Sequence, residues 1–291
     1  MTTSVTVIGD AFIDIIVPIQ DIEPGGTYHR DILATCGGTA TTAIQIARLG
    51  EEASFLGRVG SDALGKYFKE NLKRNQVKDM TVVDNHRTGL CIAVTYPNGE
   101  RSMVADRGAN NYLTGKDIEN RLNTIFKSKI IYLSGYSLAK MDTGETLPIL
   151  KRCREHGCQV WFNPGAPNII TDSLRYTIRQ FFDTLILNME EAKALAGKES
   201  ITEIKVALEQ FANLAVITLG KEGCIVLRTG QQVISVGGEA VPDVFDTTGA
   251  GDAFAAGFIV GRLRQMSDIE CAQLAHQTAA RFLTEKVRLS Q

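Results

Sequence analysis

Runs of consecutive apolar, mostly β-branched residues recur along the chain, and between them apolar and polar positions alternate at helical spacing. The runs Val5–Ile8, Ala53–Gly57, Ile130–Leu133, Gln159–Phe162, Thr184–Leu187, Ala215–Thr218 and Gly223–Leu227 are too short for helices. They also lack the strict alternation of half-exposed strands, so they predict strands buried on both sides. The intervening patterns predict helices such as Thr41–Leu49, Leu64–Arg74, Gly144–His156 and Thr202–Asn213. Apolar strands separated by helices predict an α/β protein with a largely parallel sheet covered on both faces. Two stretches break the rhythm. Asp14–Thr35 alternates and contains Pro18, Pro24 and Gly25-Gly26, and Leu90–Ala105 reads as a hairpin turning at Pro97-Asn98-Gly99-Glu100. Neither carries a helix, and together they predict a small separate sheet leaning over one end of the main one.

The chain has 291 residues, of which 44% are hydrophobic, enough for one large domain or a domain with a small appendage. Lys+Arg is 31 against Asp+Glu 33, a net charge of -2. With no basic field and no basic run interleaved with aromatics, neither nucleic acid nor a membrane surface is an expected partner. No apolar stretch approaches membrane-spanning length, and Met1–Val7 enters a strand without a basic leader. The cysteines Cys36, Cys91, Cys153, Cys158, Cys224 and Cys271 are scattered without Cys-x-x-Cys spacing. They predict reduced, buried thiols in a cytoplasmic protein rather than disulfides or a metal site.

The densest chemistry lies in Asp246-Thr247-Thr248-Gly249-Ala250-Gly251-Asp252, which runs into Ala253-Phe254-Ala255-Ala256-Gly257-Phe258. Glycines open a helix there, and a carboxylate sits in its first turn. The unpaired N–H groups of a first turn attract anions, so a carboxylate among them invites a proton or a metal. Anion-binding amides beside a carboxylate suit phosphoryl transfer to a hydroxyl. The small residues that follow also permit close helix packing, with or without chemistry.

Other segments are ambiguous alone. Asn188-Met189-Glu190-Glu191 follows a strand, and Asn188 with Glu191 can support hydrated Mg²⁺ near phosphates or simply form a capping box. Thr218-Leu219-Gly220-Lys221-Glu222-Gly223 reads as a hairpin turn or as backbone lying against a nucleotide. Gly9-Asp10-Ala11-Phe12-Ile13-Asp14 ends the first strand, and Gly37-Gly38-Thr39-Ala40-Thr41 opens a helix. These are a turn and a capped helix, or a polyol site in which Asp14 accepts hydrogen bonds from vicinal hydroxyls and Gly38 brings backbone close.

These segments, in this order, resemble the ribokinase-like (PfkB) sugar and nucleoside kinases over essentially the full length. The block from Asp246 to Ile259 fits that family's second signature at every constrained position. Gly37-Gly38, with Gly50 and Gly60, fits the spacing of the first. The resemblance implies one domain, 1–291, with a doubly wound α/β fold and a small β lid formed by about 14–35 and 90–105. It implies ATP and Mg²⁺, with Asp252 as general base and the amides of Gly249, Ala250 and Gly251 as anion hole. It implies Asp14, Gly38 and Thr41 at the sugar, and Asn188, Thr218, Gly220, Gly223 and His276 at the nucleotide. Glu191 would act on Mg²⁺ through water, and Asp246 and Thr248 lie where members that use K⁺ supply part of its site. Two departures bear on the acceptor and the cation. Thr41 stands where the first signature usually has Asn and Thr39 where it has a smaller residue, and a glycine-containing segment common after the last helix is absent.

The expected activity is ATP-dependent phosphorylation of a primary hydroxyl of a sugar, with a homodimer formed through the lid. A nucleoside kinase is the alternative, with Phe12, Tyr28, Tyr96 and Tyr112 as candidate shelves for a base. A non-catalytic sugar- or nucleotide-binding regulator is the reading from another class, and the carboxylate Asp252 argues against it.

Overall fold

Val5 and Val7 project to one side of their strand and Ile8 to the other. The same split recurs in Ile130 and Tyr132 against Ile131 and Leu133, and in Val216 against Ala215 and Ile217. Each strand thus feeds an apolar core on both of its faces, which is why its sequence reads as continuously apolar. Full burial of such a Val, Leu or Ile contributes about 1.5–3 kcal/mol.

The computed structural model describes residues 4–18, 32–96, 101–179, 181–242, 244 and 246–289. In chain order the strands are β1 (Val5–Ile8), β2 (Ala11–Pro18), β3 (Leu33–Gly38), β4 (Ala53–Leu56), β5 (Arg58–Gly60), β6 (Lys78–Asp79), β7 (Val82–Asp84), β8 (Gly89–Thr95) and β9 (Arg101–Asp106). There follow β10 (Ile130–Ser134), β11 (Gln159–Asn163), β12 (Thr184–Asn188), β13 (Leu214–Thr218), β14 (Cys224–Arg228) and β15 (Ile234–Val236).

Nine strands form the main sheet, in the order β15-β14-β13-β12-β11-β10-β1-β4-β6. All neighbours are parallel except at the β13–β14 and β14–β15 pairs. The chain winds outward from β1 through β4 to β6, then returns and winds the other way from β10 to β13. That reversal makes the fold doubly wound and opens a crevice at the carboxyl ends of β1 and β10.

The helix-free stretches form a second sheet of four strands, β3-β2-β8-β9. Its β8–β9 pair is the expected hairpin. The turn at 97–100, and residues 19–31 of the first stretch, lie outside the described residues. The expected helix Thr202–Asn213 is shorter, Ile201–Leu208, because the chain turns at Glu209–Phe211 to reach β13. All six cysteines are free and buried. No helix among the described residues is long and apolar enough to cross a membrane.

The chain closes with two helices, Ala250–Leu263 and Asp268–Leu289, packed against each other. Their close approach explains part of the small-residue run. A Cβ on Gly257 would stand 2.6 Å from Ala275 Cα, and one on Gly261 would stand 2.9 Å from Cys271 Cα.

Candidate active site

A cavity of about 530 Å³ opens at the crevice where the winding reverses. Its floor carries Asp10, just beyond β1, with Ser134 and Asn163 at the ends of β10 and β11. Thr248, Gly249 and Asp252 form one side, and Asp14, Cys91 and Met103 reach it from the small sheet.

Asp14 stands in the middle of β2, paired with Thr35 on β3 and Cys91 on β8. The expectation that it ends the first strand is therefore corrected. β1 stops at Ile8, the chain turns at Gly9-Asp10, and Asp10 is the carboxylate at the strand end. Gly37 makes room for Asp14, since a Cβ there would fall 1.9 Å from Asp14 Oδ2. Burial raises the Asp14 carboxyl to about 6, against the attraction of Lys286 and with a push from Asp246. Asp10 is already paired. Arg107, just past β9, donates to both its oxygens at 2.8 Å, and the Ser137 hydroxyl donates at 2.7 Å. This contact ties the small sheet to the main one.

The helix bearing Asp252 starts at Ala250, with Gly249 at its N-cap in a left-handed conformation, φ 84°. Glycine suits that turn. A Cβ there would also press to 2.9 Å from the Phe282 ring. The Asp252 carboxylate is half-buried and accepts the Thr42 hydroxyl at 3.0 Å. Burial, with Asp14 and Glu191 nearby, lifts its pKa to about 7 despite that hydrogen bond. A carboxyl poised near neutrality in a cavity has the proton affinity of a general base. Of the three amides expected in the anion hole, that of Ala250 donates at 3.1 Å to the Thr247 carbonyl and closes its own turn. Gly249 lines the cavity and Gly251 is exposed at the helix start.

Asp246 and Thr248 are engaged together. Asp246 Oδ1 accepts the Thr248 N–H at 2.9 Å and its hydroxyl at 2.6 Å. The Lys286 ammonium, from the last helix, donates to Asp246 Oδ2 and to the Thr248 carbonyl. Burial opposes ionisation of Asp246, but Lys286 and Thr248 outweigh it and hold the carboxyl below its ordinary range. An ammonium thus meets the oxygens at which a monovalent metal ion was expected.

The residues expected at the nucleotide line up along the same sheet edge. Asn188 ends β12 and Thr218 ends β13, paired in register. Asn188 and Glu191 do form a capping box: the Asn188 side chain accepts the Glu191 N–H, and Glu191 Oε2 accepts the Asn188 N–H, both at 2.9 Å. Asn163 also donates to Glu191 Oε2 at 3.3 Å. Burial raises the Glu191 carboxyl, partly offset by these bonds. Gly220 is exposed in the turn between β13 and β14. Gly223 is buried, and a Cβ there would meet the Val236 carbonyl at 2.0 Å, so packing accounts for it. His276 lies against Phe254, ring centroids 5.0 Å apart, and its buried Nε2 has no hydrogen-bond partner among the described residues.

Gly38 and Thr41 line the cavity, as does Phe12 among the suggested aromatic shelves. Tyr112 instead stacks on His86, Tyr96 is exposed beside Ser102, and Tyr28 lies outside the described residues. Sequence reasoning missed Thr42, Asn163, Arg107, Tyr136 and Lys286. Only Thr42 sat beside a segment already under suspicion.

Comparison with known proteins agrees with this arrangement. The pfkB family carbohydrate kinase profile matches residues 2–287. A ribokinase from Mus musculus is 29% identical over 263 residues, covering 86% of this chain and 79% of that protein. Among solved structures, adenosine kinase from Sinorhizobium meliloti superposes with a TM-score of 0.85 at 27% identity, covering 96% of this chain and 93% of the other. Arabidopsis thaliana ribokinase, solved with ribose and ATP, superposes with a TM-score of 0.78 at 25% identity, covering 96% and 92%. A doubly wound sheet with its cavity at the winding reversal, a carboxylate in the first turn of a glycine-capped helix, and a profile match over nearly the whole length give one answer: the chain belongs to the pfkB family of carbohydrate kinases.

Proposed function

We propose that the protein transfers the γ-phosphoryl group of ATP to a primary hydroxyl of a sugar or sugar-like molecule. The observation that carries this reading is Asp252, a carboxyl lifted to about 7, facing a cavity at the start of its own helix. The acceptor oxygen attacks phosphorus while its proton passes to the Asp252 carboxylate, and the bond to the leaving ADP breaks in line. The first-turn amides of Gly249 and Gly251 meet the charge that develops on the phosphoryl oxygens, while that of Ala250 stays on the Thr247 carbonyl. Asp14, with Gly38 and Thr41 beside it, accepts hydrogen bonds from the acceptor's other hydroxyls. The small sheet acts as a lid that excludes water, and the Asp10–Arg107 pair is its latch.

On the nucleotide side, Asn188, Thr218 and Gly220 form a low wall, with Gly223 packed behind it, and the unpartnered Nε2 of His276 would hydrogen-bond adenosine once the ring turns out of its buried position. Among the described residues no group of three or more His, Cys, Asp or Glu could hold a metal ion. Mg²⁺ would be held by the phosphates and its own waters, with Glu191 within reach of one of those waters. Such an ion would supply neutralisation of the phosphate charge. The free cysteines support a reducing, cytoplasmic setting. The exposed Ile92 and Val104, opposite each other on the small sheet, support pairing with a second copy there.

A second reading keeps the chemistry and changes the acceptor to a nucleoside, phosphorylated at its ribose 5′-hydroxyl. Phe12, Met103, Ala105, Tyr136 and Ile169 give the cavity an apolar wall, which suits a planar base better than a bare pentose. A coupled ADP-release assay over a panel of sugars and nucleosides decides between them. No acceptor-dependent release from any member, with ATP demonstrably bound, would refute both.

A further inference from the structure

We infer that the ammonium of Lys286 is a built-in cation that sets the loop ahead of the Asp252 helix, so that phosphoryl transfer here needs no monovalent metal ion. Lys286 projects from the last helix into a site that is nearly closed: Lys286 is 8% exposed and Asp246 3%. Its Nζ donates to Asp246 Oδ2 and, at 2.9 Å, to the Thr248 carbonyl. The Phe282 ring, one turn earlier on the same helix, has its centroid 5.6 Å from Nζ. The same ring packs against Gly249.

A carboxylate oxygen beside a backbone carbonyl is a donor set that suits a potassium or sodium ion. Here those oxygens already face a positive charge. A metal ion would have to displace a buried, paired ammonium or stand against it, and both are unfavourable in a low-dielectric site. The disagreement with a monovalent-ion site is therefore chemical and specific to this lysine.

The lysine also has a geometric consequence. In a trans peptide the C=O and the following N–H point to opposite sides. Drawing the Thr248 carbonyl toward Lys286 turns the Gly249 N–H away from it, and Thr248 and Gly249 both border the cavity. Lys286 thus acts through Asp246 and Thr248 as a positioning residue for the first amide of the helix start. A cleft of about 210 Å³ lined by Asp14, Thr248, Gly249 and Lys286 adjoins this point. It leaves room for a free cation once the side chain is shortened.

The test uses the full chain, Lys286→Ala and Lys286→Arg. Rates are measured with whichever acceptor the panel assay identifies, in tetramethylammonium buffer titrated with potassium or ammonium chloride at constant ionic strength. Melting temperatures are measured in the same salts without substrates. Wild type should show the same rate and melting temperature in every salt. Lys286→Ala should lose about tenfold to a hundredfold in kcat, the scale of a small misplacement of catalytic groups. Potassium or ammonium should restore much of that loss and should raise the melting temperature of this variant alone. Lys286→Arg, which keeps a charge, should stay nearer wild type and respond less to salt.

Potassium raising the wild-type rate or melting temperature would overturn the proposal, and that arm stands even if the variants fail to fold. So would a Lys286→Ala protein as active as wild type without added cation, or one that is folded, slow and indifferent to cations. Only the rate arm rests on the kinase reading proposed above. The melting arm needs neither acceptor nor ATP, so failure of that reading leaves it intact.

Discussion

The two ends of the active-site edge, which we propose take the acceptor and the nucleotide, are built in opposite ways. At the acceptor end Asp10, Asp14, Asp246 and Lys286 are all buried and Asp252 is half-buried; Asp10 is paired with Arg107, and the charges of Asp14, Asp246, Lys286 and Asp252 act on one another. At the nucleotide end Asn188 and Gly220 are exposed and Thr218 is half-buried, and the wall is mostly backbone and turn. A neutral hydroxyl brings no charge to its own recognition, so the protein supplies fixed, desolvated groups. ATP brings phosphates and a metal ion, so open amides and a low wall suffice. Substitutions at the first end should therefore damage chemistry and specificity, and those at the second should shift affinity modestly.

The largest effect should come from Asp252→Asn, which removes the proposed proton acceptor and keeps the shape. We expect kcat to fall by about 10²–10⁴-fold, the usual contribution of a general base. Binding of ATP, followed by calorimetry, should be nearly unchanged. Retention of more than about a tenth of wild-type kcat would exclude Asp252 as the base.

The same carboxyl sets a pH dependence in two readouts. A base with a pKa of about 7 must be ionised to act, so kcat/KM should rise through neutral pH and flatten above it. Stability should run the other way at this residue. Its pKa is higher in the fold than in the unfolded chain, so ionising it disfavours the fold as pH climbs from about 4 to 7. Asp252→Asn should thus melt higher than wild type at pH 8 and about equal to it only near pH 3, below the unfolded carboxyl's pKa. An equal difference at both values would mean that the charge is not what strains the site.

Asp14→Ala should come next in size. Losing a charged acceptor for a hydroxyl costs about 1.5–3 kcal/mol, and it should fall on acceptor KM with the KM for ATP little changed. Equal losses for both substrates would remove Asp14 from the acceptor's contacts. Hydrogen exchange in β2, β3, β8 and β9 should slow when acceptor binds, since the small sheet closes on it. Unchanged exchange with acceptor demonstrably bound would refute the lid.

The contrast also governs what could be read from the chain. The parallel strands were legible because burial on both faces leaves an apolar signature, and β1, β10, β11 and β12 fall within a residue of the expected bounds. Asp252 was legible because a carboxylate in a glycine-capped first turn is chemically odd within a few residues. Asp14 was assigned to the wrong strand because the turn at Gly9-Asp10 is only two residues long and the apolar pattern continues across it. The partners that tune these groups were illegible. Thr42, Asn163, Arg107 and Lys286 come from separate elements and meet only through the winding of the sheet. Lys286 lies in Thr284-Glu285-Lys286-Val287-Arg288, which reads as a solvated helix face.

The smallest effect, and the sharpest check on the nucleotide end, should come from His276→Ala. Burial lowers the imidazole pKa against a weaker upward pull from Glu239, so it is neutral at pH 7 to 8 and offers an uncharged hydrogen bond. Such a bond is worth about 0.5–1.5 kcal/mol net, which corresponds to a rise in KM for ATP of about twofold to tenfold. Acceptor KM and kcat should barely move, because Asp14 and Asp252 keep their surroundings. Preference for ATP over GTP should narrow, since a hydrogen bond to the base discriminates while one to phosphate does not. The ring also packs edge-on against Phe254, so some melting temperature will be lost in any case. His276→Phe keeps much of that packing without the nitrogen and separates the two roles. If His276→Phe matches wild type in KM for ATP and in base preference, the imidazole is a core residue and the nucleotide end is built from backbone alone.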